Sequence, residues 1–181
     1  SNPDEIPAAG TTQAGWVFKP ADSTYYAELT GTAAITVAKA TPIVVKVPTV
    51  AEREYNPDAA LTDSDMTGAS VTGADGSSLA GTWSFTGKNI IPTVNNKGYQ
   101  AVFTPDDANN YNTVTRTITV KVTKATPVVV TVPAVAERVY NPAVALADSD
   151  MTGGSVTGAD GNELAGTWSF TGKNIIPTVN N

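Results

Sequence analysis

The chain of 181 residues contains no cysteine and no histidine. Without cysteine it can form no disulfide, no thiolate nucleophile and no cysteine-based zinc site. Without histidine it lacks the imidazole on which most acid–base and nucleophilic catalysis depends. Carboxylates, hydroxyls and lysines are left, and we expect no enzymatic activity from them.

Charged side chains and long apolar runs are also scarce. Charged residues make up 15% of the chain, with 11 basic against 17 acidic residues and a net charge of −6. Because a negative chain repels phosphate on average, we expect neither nucleic acid nor an anionic membrane as a partner. No stretch reaches the roughly 20 apolar residues of a membrane-spanning helix, so no membrane insertion is predicted.

The residues that are present are those of β-structure. Val, Ile, Thr and Ala dominate the apolar stretches, Met occurs twice, and no long run has helical spacing. Asp75-Gly76 and Asp160-Gly161 lie between apolar runs and predict tight hairpin turns. The sequence therefore predicts an all-β fold. Within one stretch we expect strands near 42–48, 50–55, 69–73, 80–86, 99–104, 111–115 and 116–123.

The sequence repeats itself, and its period is the separation along the chain of Lys39 and Lys124, which we call the repeat offset. Lys39–Asn96, the upstream copy, aligns without gaps to Lys124–Asn181, the downstream copy, and 48 of 58 positions are identical. Residues 3–38 align in the same way, with fewer identities, to residues 88–123. Such a period is long for a solenoid repeat and suits a small self-contained sandwich.

The boundaries of the repeating domain can be drawn in two ways. The segment Lys-Ala-Thr-Pro at 39 and 124 favours the end of a diverged domain at 1–40, a complete domain at 41–123 and the start of another at 124–181. The alternative phase gives two permuted complete units, 3–90 and 91–178. An incomplete sandwich exposes an unpaired strand edge, so the first phase predicts contacts with neighbouring repeats and strand-exchanged self-association through the incomplete ends.

Residues 99–127, YQAVFTPDDANNYNTVTRTITVKVTKATP, together with the preceding GTWSF, carry a family resemblance. They resemble the tandem bacterial Ig-like repeats of Gram-positive cell-wall-anchored proteins and adhesins. The resemblance covers nearly the whole chain, but Ala14 and Trp16 depart from it where the other copy has Tyr99 and Ala101. It implies tandem immunoglobulin-like β-sandwiches in an extracellular stalk, spacer or adhesive module at the bacterial surface.

Three functions stay open at this point. The first is a non-enzymatic structural spacer of a bacterial cell-surface or secreted protein, with or without adhesion. The second is a module that binds a host glycan or host protein through its loops. The third is an accessory domain of a secreted carbohydrate-active enzyme. Near-identity of the two copies favours the spacer, because a rod needs many equivalent links.

Acidic loops are the candidate metal site. Carboxylate oxygens are the ligands that calcium prefers, although the spacing here is not that of an EF-hand. The alternative is that these side chains cap the backbone of their own turns, and then no cofactor is expected. The calcium candidates are Asp63, Asp65, Asp75, Asp106 and Asp107.

Four aromatic residues are predicted to have structural roles. Trp83 and Trp168 alternate with a phenylalanine two positions on, which places both rings of each pair on one face of a strand, and we expect that face in a core. Tyr111, after an Asp- and Asn-rich turn, is predicted to be a corner tyrosine whose hydroxyl bonds nearby backbone. Tyr26 would be its counterpart in the first copy.

Overall fold

A computed structural model of the chain describes residues 7–179, and within them the protein is all-β. Those residues form strands and two short 3-10 turns, η1 (Asp63–Asp65) and η2 (Asp148–Asp150), and no α-helix. None of their helical segments is long and apolar enough to cross a membrane. The strands are β1 (Gly10–Phe18), β2 (Leu29–Val37), β3 (Ile43–Lys46), β4 (Arg53–Glu54), β5 (Ser70–Thr72), β6 (Gly81–Phe85), β7 (Tyr99–Pro105), β8 (Val114–Ile118), β9 (Val122–Thr123), β10 (Val128–Thr131), β11 (Ala134–Val135), β12 (Met151–Thr152) and β13 (Ser155–Thr157).

Contacts divide the chain into two compact units. The first unit takes residues up to Ala51, Thr62–Asn89 and Lys97–Val120, and the second takes Glu52–Leu61, Ile90–Asn96 and the residues from Lys121 on. Every sheet lies within one unit. The domain boundaries predicted near residues 40 and 123, and the alternative near residue 90, stay predictions.

The first unit holds the larger core. It contains an antiparallel β1–β2 hairpin, a β3–β5 pair and a three-stranded antiparallel sheet in the order β6–β7–β8. Apolar residues alternate along β7 and β8, so one face of that sheet is buried while the other is wet. Proline and glycine aside, the buried residues of this unit are Val71, Ala101, Phe103, Val114, Ile118 and Val120.

The second unit is built from three two-stranded pairs. β4 pairs with β9 in parallel, whereas β10 pairs with β13 and β11 with β12 in antiparallel fashion. Leu61 and Val122 are its buried apolar residues in the described part of the chain. The valines of β10 are exposed, so this unit has much less of a closed core than the first.

Most of the predicted strands overlap observed ones, but the boundaries within residues 111–123 are wrong. Tyr111 makes an isolated bridge to Ala40, and the strand begins only at Val114 and ends at Ile118. The alternation of residues 117–122 predicted a continuous strand. The chain instead leaves the β7–β8 pairing after Ile118 and pairs again at Val122 with β4 of the second unit. The alternation of apolar and polar residues does not reveal where a strand changes its pairing partner.

The strand pairings recur at the repeat offset. In β3–β5, Val44 is opposite Val71, and in β10–β13, Val129 is opposite Val156, with the same irregularity further along each strand. The hairpins β1–β2 and β7–β8 also share one register, since Phe18 is opposite Leu29 and Phe103 is opposite Val114. Local pairing therefore follows the repeat of the sequence.

Candidate functional site

The upstream tryptophan lies in a completed sheet. Trp83 of β6 is directly opposite Phe103 of β7, and the two ring centroids are 5.5 Å apart at an interplanar angle of 47°. Trp83 is half-buried, and its indole Nε1 is buried without a hydrogen-bond partner in the described residues. Gly81, on the same strand, has no room for a side chain, because a Cβ there would lie 2.5 Å from the Phe103 ring and from the Thr104 carbonyl oxygen. The structure thus uses Trp83 for packing.

The downstream tryptophan has the same local sequence but no partner strand. Residues 166–170, Gly-Thr-Trp-Ser-Phe, form no strand in the described part of the chain. The half-buried Trp168 lies over Gly154, where a Cβ would be 2.5 Å from the indole nitrogen. A cavity of about 420 Å³ opens beside this ring and is lined in part by Val129 and Val156. A Cβ added at Gly166 would meet no atom of the described residues within 4 Å, unlike one at Gly81.

Tyr111 joins its turn to the β5 hairpin loop. Its hydroxyl accepts a hydrogen bond from the Ala74 backbone N–H at 3.3 Å, and its ring lies so close to Gly73 that a Cβ there would be 2.6 Å from the hydroxyl oxygen. The bonded backbone is 37 residues away in sequence, so it is not the nearby backbone that the sequence predicted. The isolated parallel bridge to Ala40 holds the other side of the same residue.

Tyr26 lies in the same kind of turn as Tyr111, but its side chain does not make the contacts that the Tyr111 side chain makes. The Tyr26 N–H donates to the Asp22 carbonyl at 3.3 Å, as the Tyr111 N–H donates to the Asp107 carbonyl at 3.1 Å. The Tyr26 side chain is 67% exposed, and no hydrogen bond of its hydroxyl occurs among residues 7–179. The local turn is therefore shared, while the tertiary contact is made at Tyr111 alone of the two.

A second cavity lies at the downstream counterpart of the place where Tyr111 packs on Gly73 and Ala74. It measures about 290 Å³ and is lined by residues of the second unit, including Lys124, Ala125, Gly158 and Ala159. Gly158 and Ala159 are the downstream counterparts of Gly73 and Ala74, and their hairpin turn has the same geometry. The Gly158 N–H donates to the Asn162 carbonyl at 2.9 Å, as the Gly73 N–H does to the Ser77 carbonyl at 2.9 Å.

Two of the calcium candidates instead anchor the 3-10 turns. Asp63 Oδ1 accepts from the Phe85 backbone N–H at 2.7 Å, and Asp65 Oδ2 accepts from the Thr62 backbone N–H at 2.7 Å. The downstream copy repeats both bonds at 2.8 Å, from Phe170 to Asp148 and from Ala147 to Asp150. Asp150 also forms an ion pair of 2.8 Å with Arg138. The Ala147 hydrogen bond first, and then Arg138, hold the pKa of Asp150 below its usual value.

The other candidates mostly cap turns. Asp75 Oδ1 accepts from the Ser77 N–H at 3.0 Å, and hydrogen bonds from Ser77 lower the pKa of Asp75. Its counterpart Asp160 accepts from the side chain of Asn162 at 2.9 Å and from its backbone N–H at 3.1 Å, which lowers the Asp160 pKa. Asp107 accepts from Asn110 in the same manner. This capping is the alternative that the sequence left open.

No group of three acidic side chains placed to hold a metal ion occurs within residues 7–179. Asp106 therefore belongs to no such group among these residues. The calcium hypothesis gains no support from this geometry and stays a prediction.

Comparisons with known proteins add no relative. No protein-family model matches the chain, and neither curated proteins nor solved structures contain a match. The resemblance to bacterial Ig-like repeats therefore stays a prediction.

Sequence reasoning missed the bond from the Asp63 carboxylate to the Phe85 backbone. This bond links a 3-10 turn to a strand 22 residues later, and it recurs between Asp148 and Phe170. The available signal was that the Asp-Ser-Asp triplet is identical in both copies, although many turn residues are equally unchanged. Identity alone could not tell a turn cap from a bond across the fold.

Proposed function

We propose that this chain is a non-enzymatic structural spacer, made of tandem Ig-like β-sandwich repeats, in an extracellular protein of a bacterial surface. The observation that carries the proposal is the recurrence of one bonding scheme at the repeat offset. The register of β3–β5 recurs in β10–β13, and the 3-10 turn caps and the glycine hairpin turns also recur, although the paired strand β6 has no strand as its counterpart at residues 166–170.

The chemistry of the loops supports a spacer. The aspartates of both copies mostly accept hydrogen bonds from backbone N–H groups of their own fold. Carboxylates used in this way fix the turns. A protein built from equivalent links needs this kind of local reinforcement in every repeat, since each repeat must fold on contacts with itself and its neighbours.

The antiparallel sheets with one buried and one wet face support the sandwich. So does Tyr111, whose hydroxyl connects its own turn to the loop at Ala74. These features are the ones expected of Ig-like domains, and they make this architecture the preferred form of the all-β fold.

Insertion of further copies of residues 39–123 would test the spacer. We expect the maximum dimension measured by small-angle X-ray scattering to grow by a constant increment for each inserted copy. We also expect the urea m-value for unfolding to grow in proportion, because each copy exposes the same surface on unfolding. A dimension that stops growing after the first insertion would contradict a spacer.

One observation favours a second function. The Trp168 ring borders the cavity of about 420 Å³, and an indole beside an open cavity with polar and apolar lining residues is a surface on which a sugar ring can stack. Glycan and matrix-protein arrays probed with the whole chain would test this binding module. Saturable binding that is lost in Trp168→Ala and kept in Trp83→Phe would favour it over the spacer.

A further inference from the structure

The β1–β2 hairpin exposes the residues that its counterpart buries. Phe18 is 60% exposed and Leu29 is 60% exposed, whereas the equivalent Phe103 and Val114 of β7–β8 are 2% and 6% exposed. Both hairpins have the same register, so the same face of each carries these side chains. The hairpin β1–β2 therefore has the strand pairing of the buried hairpin β7–β8 but leaves its apolar face exposed.

The downstream copy presents the surface that would cover such a face. Its segment 166–170 has the sequence of β6, the strand that pairs with β7, but it pairs with no strand within residues 7–179. Nearby, the cavity at Gly158 and Ala159 matches the place where Tyr111 sits on Gly73 and Ala74. We call these two features the acceptor end.

We propose that the acceptor end of one molecule binds the β1–β2 hairpin of a second molecule, as β6 binds β7 within the first unit. The register follows from the observed β6–β7 pairs when each residue is replaced by its counterpart one repeat offset away. The resulting pairs, acceptor residue first, are Gly166 with Pro20, Thr167 with Lys19, Trp168 with Phe18, Ser169 with Val17 and Phe170 with Trp16. Main-chain hydrogen bonds of the added strand supply the attraction, and the Trp168–Phe18 pair supplies specificity.

The cavity at Gly158 and Ala159 is a second, independent contact site, which Tyr26 of the donor would fill. Tyr26 of the donor molecule is the counterpart of Tyr111 and is exposed in its own chain. In the acceptor, its hydroxyl would accept from the Ala159 N–H as that of Tyr111 accepts from Ala74. The parallel bridge of Ala40 to Tyr111 becomes one of Ala125 to Tyr26.

One sequence difference between the hairpins is compensated within the donor. Trp16 stands where β7 has the fully buried Ala101, which would crowd the acceptor if nothing else changed. Its cross-strand neighbour is Gly31, in place of Arg116, and the indole lies so close to Gly31 that a Cβ there would be 2.3 Å from the ring. The ring thus occupies space that the missing side chain leaves.

The proposed partner is the β1–β2 hairpin of a second molecule, because the other hairpin of this type, β7–β8, is already paired with a strand. The hairpin β7–β8 is paired with β6. The hairpin β1–β2 shares the register of β7–β8 and has Phe18 at the position of Phe103, and its apolar face is uncovered. Uncovered apolar faces of this kind are sites of association.

Two single-cysteine variants, Val17→Cys and Ser169→Cys, test the register, because the natural chain has no cysteine. Their side chains are predicted to be directly opposite, like Val102 and Ser84. After mixing and mild oxidation, with one variant isotopically labelled, we expect the heterodimeric disulfide to dominate. The matched control is Thr167→Cys, two residues out of register, which should cross-link to Val17→Cys at most weakly. Ser84→Cys with Val102→Cys in one chain confirms that the geometry permits a disulfide.

Light scattering across concentrations from about 1 µM to 1 mM provides the second measurement. We expect the mean mass to rise with concentration, and Phe18→Ala and Tyr26→Ala to weaken the association by roughly tenfold or more, since each removes a large buried contact. Tyr25→Ala is the matched control, because Tyr25 would contribute only its backbone.

Three results would overturn the proposal: a monomer at every concentration, equal cross-linking at residues 167 and 169, or a chain with both cysteines that closes its own disulfide as a monomer. The proposal depends on strand pairing and not on the cellular location or on the spacer role. Its failure would leave the constant length increment per repeat intact, so the two proposals fail separately.

Discussion

The hairpins β1–β2 and β7–β8 have the same register and several of the same residues, but the apolar face of β7–β8 is buried and that of β1–β2 is exposed. Phe103 is buried because β6 pairs alongside it and brings Trp83 against its ring. Phe18 has no such neighbour among the described residues and is exposed. The comparison shows that the pairing register is the same whether or not the apolar face of the hairpin is covered. Burial is decided by the third strand.

The largest test of this difference replaces each phenylalanine with alanine. Phe103→Ala should lower the free energy of unfolding by about 3–5 kcal/mol, because it removes a buried ring and leaves a cavity beside Trp83. Phe18→Ala, measured where the protein is monomeric, should cost less than about 0.5 kcal/mol. Urea unfolding would measure both. Equal losses would show that Phe18 is covered in the monomer and would break the comparison.

A smaller difference in the free energy of unfolding is expected at the glycine that begins each Gly-Thr-Trp-Ser-Phe segment. Gly81→Ala should destabilise by about 1–3 kcal/mol, since its Cβ would collide with the Thr104 carbonyl and the Phe103 ring. Gly166→Ala, with the same neighbours in sequence and open space around it, should stay within about 0.5 kcal/mol of the parent. Thermal and urea unfolding would check the pair. A large loss for Gly166→Ala would mean that residues 166–170 already have a strand partner.

The two tyrosines provide a test of one hydrogen bond. Tyr111→Phe removes the hydroxyl that accepts from Ala74 and should cost about 0.5–1.5 kcal/mol. Tyr26→Phe removes an exposed hydroxyl and should leave monomer stability unchanged. Amide exchange at Ala74, faster in Tyr111→Phe, would show that the lost bond is the cause. The same exchange rate in both variants would contradict the assignment.

The smallest effect is expected at the 3-10 turn of the downstream copy, and it depends on pH. The native pKa of Asp150 is below its ordinary value, chiefly because the Ala147 N–H donates to the carboxylate. A lowered native pKa means that the ionised group stabilises the fold above the unfolded pKa of about 3.9 and that this contribution is lost as pH falls through the native pKa. Asp150→Asn should therefore lower the urea midpoint at pH 7 and differ little from the parent at about pH 2.

Arg138→Gln separates the two causes of that shift. It removes the ion pair with Asp150 and keeps the Ala147 hydrogen bond, so it should show only part of the pH-dependent loss. A loss in Arg138→Gln as large as that in Asp150→Asn would assign the whole effect to the ion pair and contradict the dominance of the backbone bond.

Several structural features were predictable because they are local. The Asp-Gly turns follow from the positive φ of Gly76 and Gly161, at 78° and 74°. The all-β character follows from composition and short alternating runs, and the shared register of the two hairpins follows from the repeat of the sequence. The end of β8 at Ile118 was not predictable, because Val120 and Val122 continue the alternation while the chain changes its pairing partner.

The candidate site was predictable in its residues but not in their use. The aspartates were correctly found as turn residues, yet the sequence could not separate capping from metal binding, because both need carboxylates in Asp- and Ser-rich loops. Tyr111 was predicted to bond backbone, but the strand order decided that this backbone would be Ala74. Trp83 and Trp168 have identical neighbours in sequence, so no local pattern could distinguish their surroundings.

The sequence by itself determined the fold class, the hairpin turns and the repeat of one bonding scheme, since these depend on side-chain alternation, glycine conformation and short-range hydrogen bonds. The tertiary structure decided which apolar faces are covered and which carboxylates reach distant backbone. Coverage depends on a strand far away in the chain, and the energy of burying a phenylalanine is gained only when that strand is present.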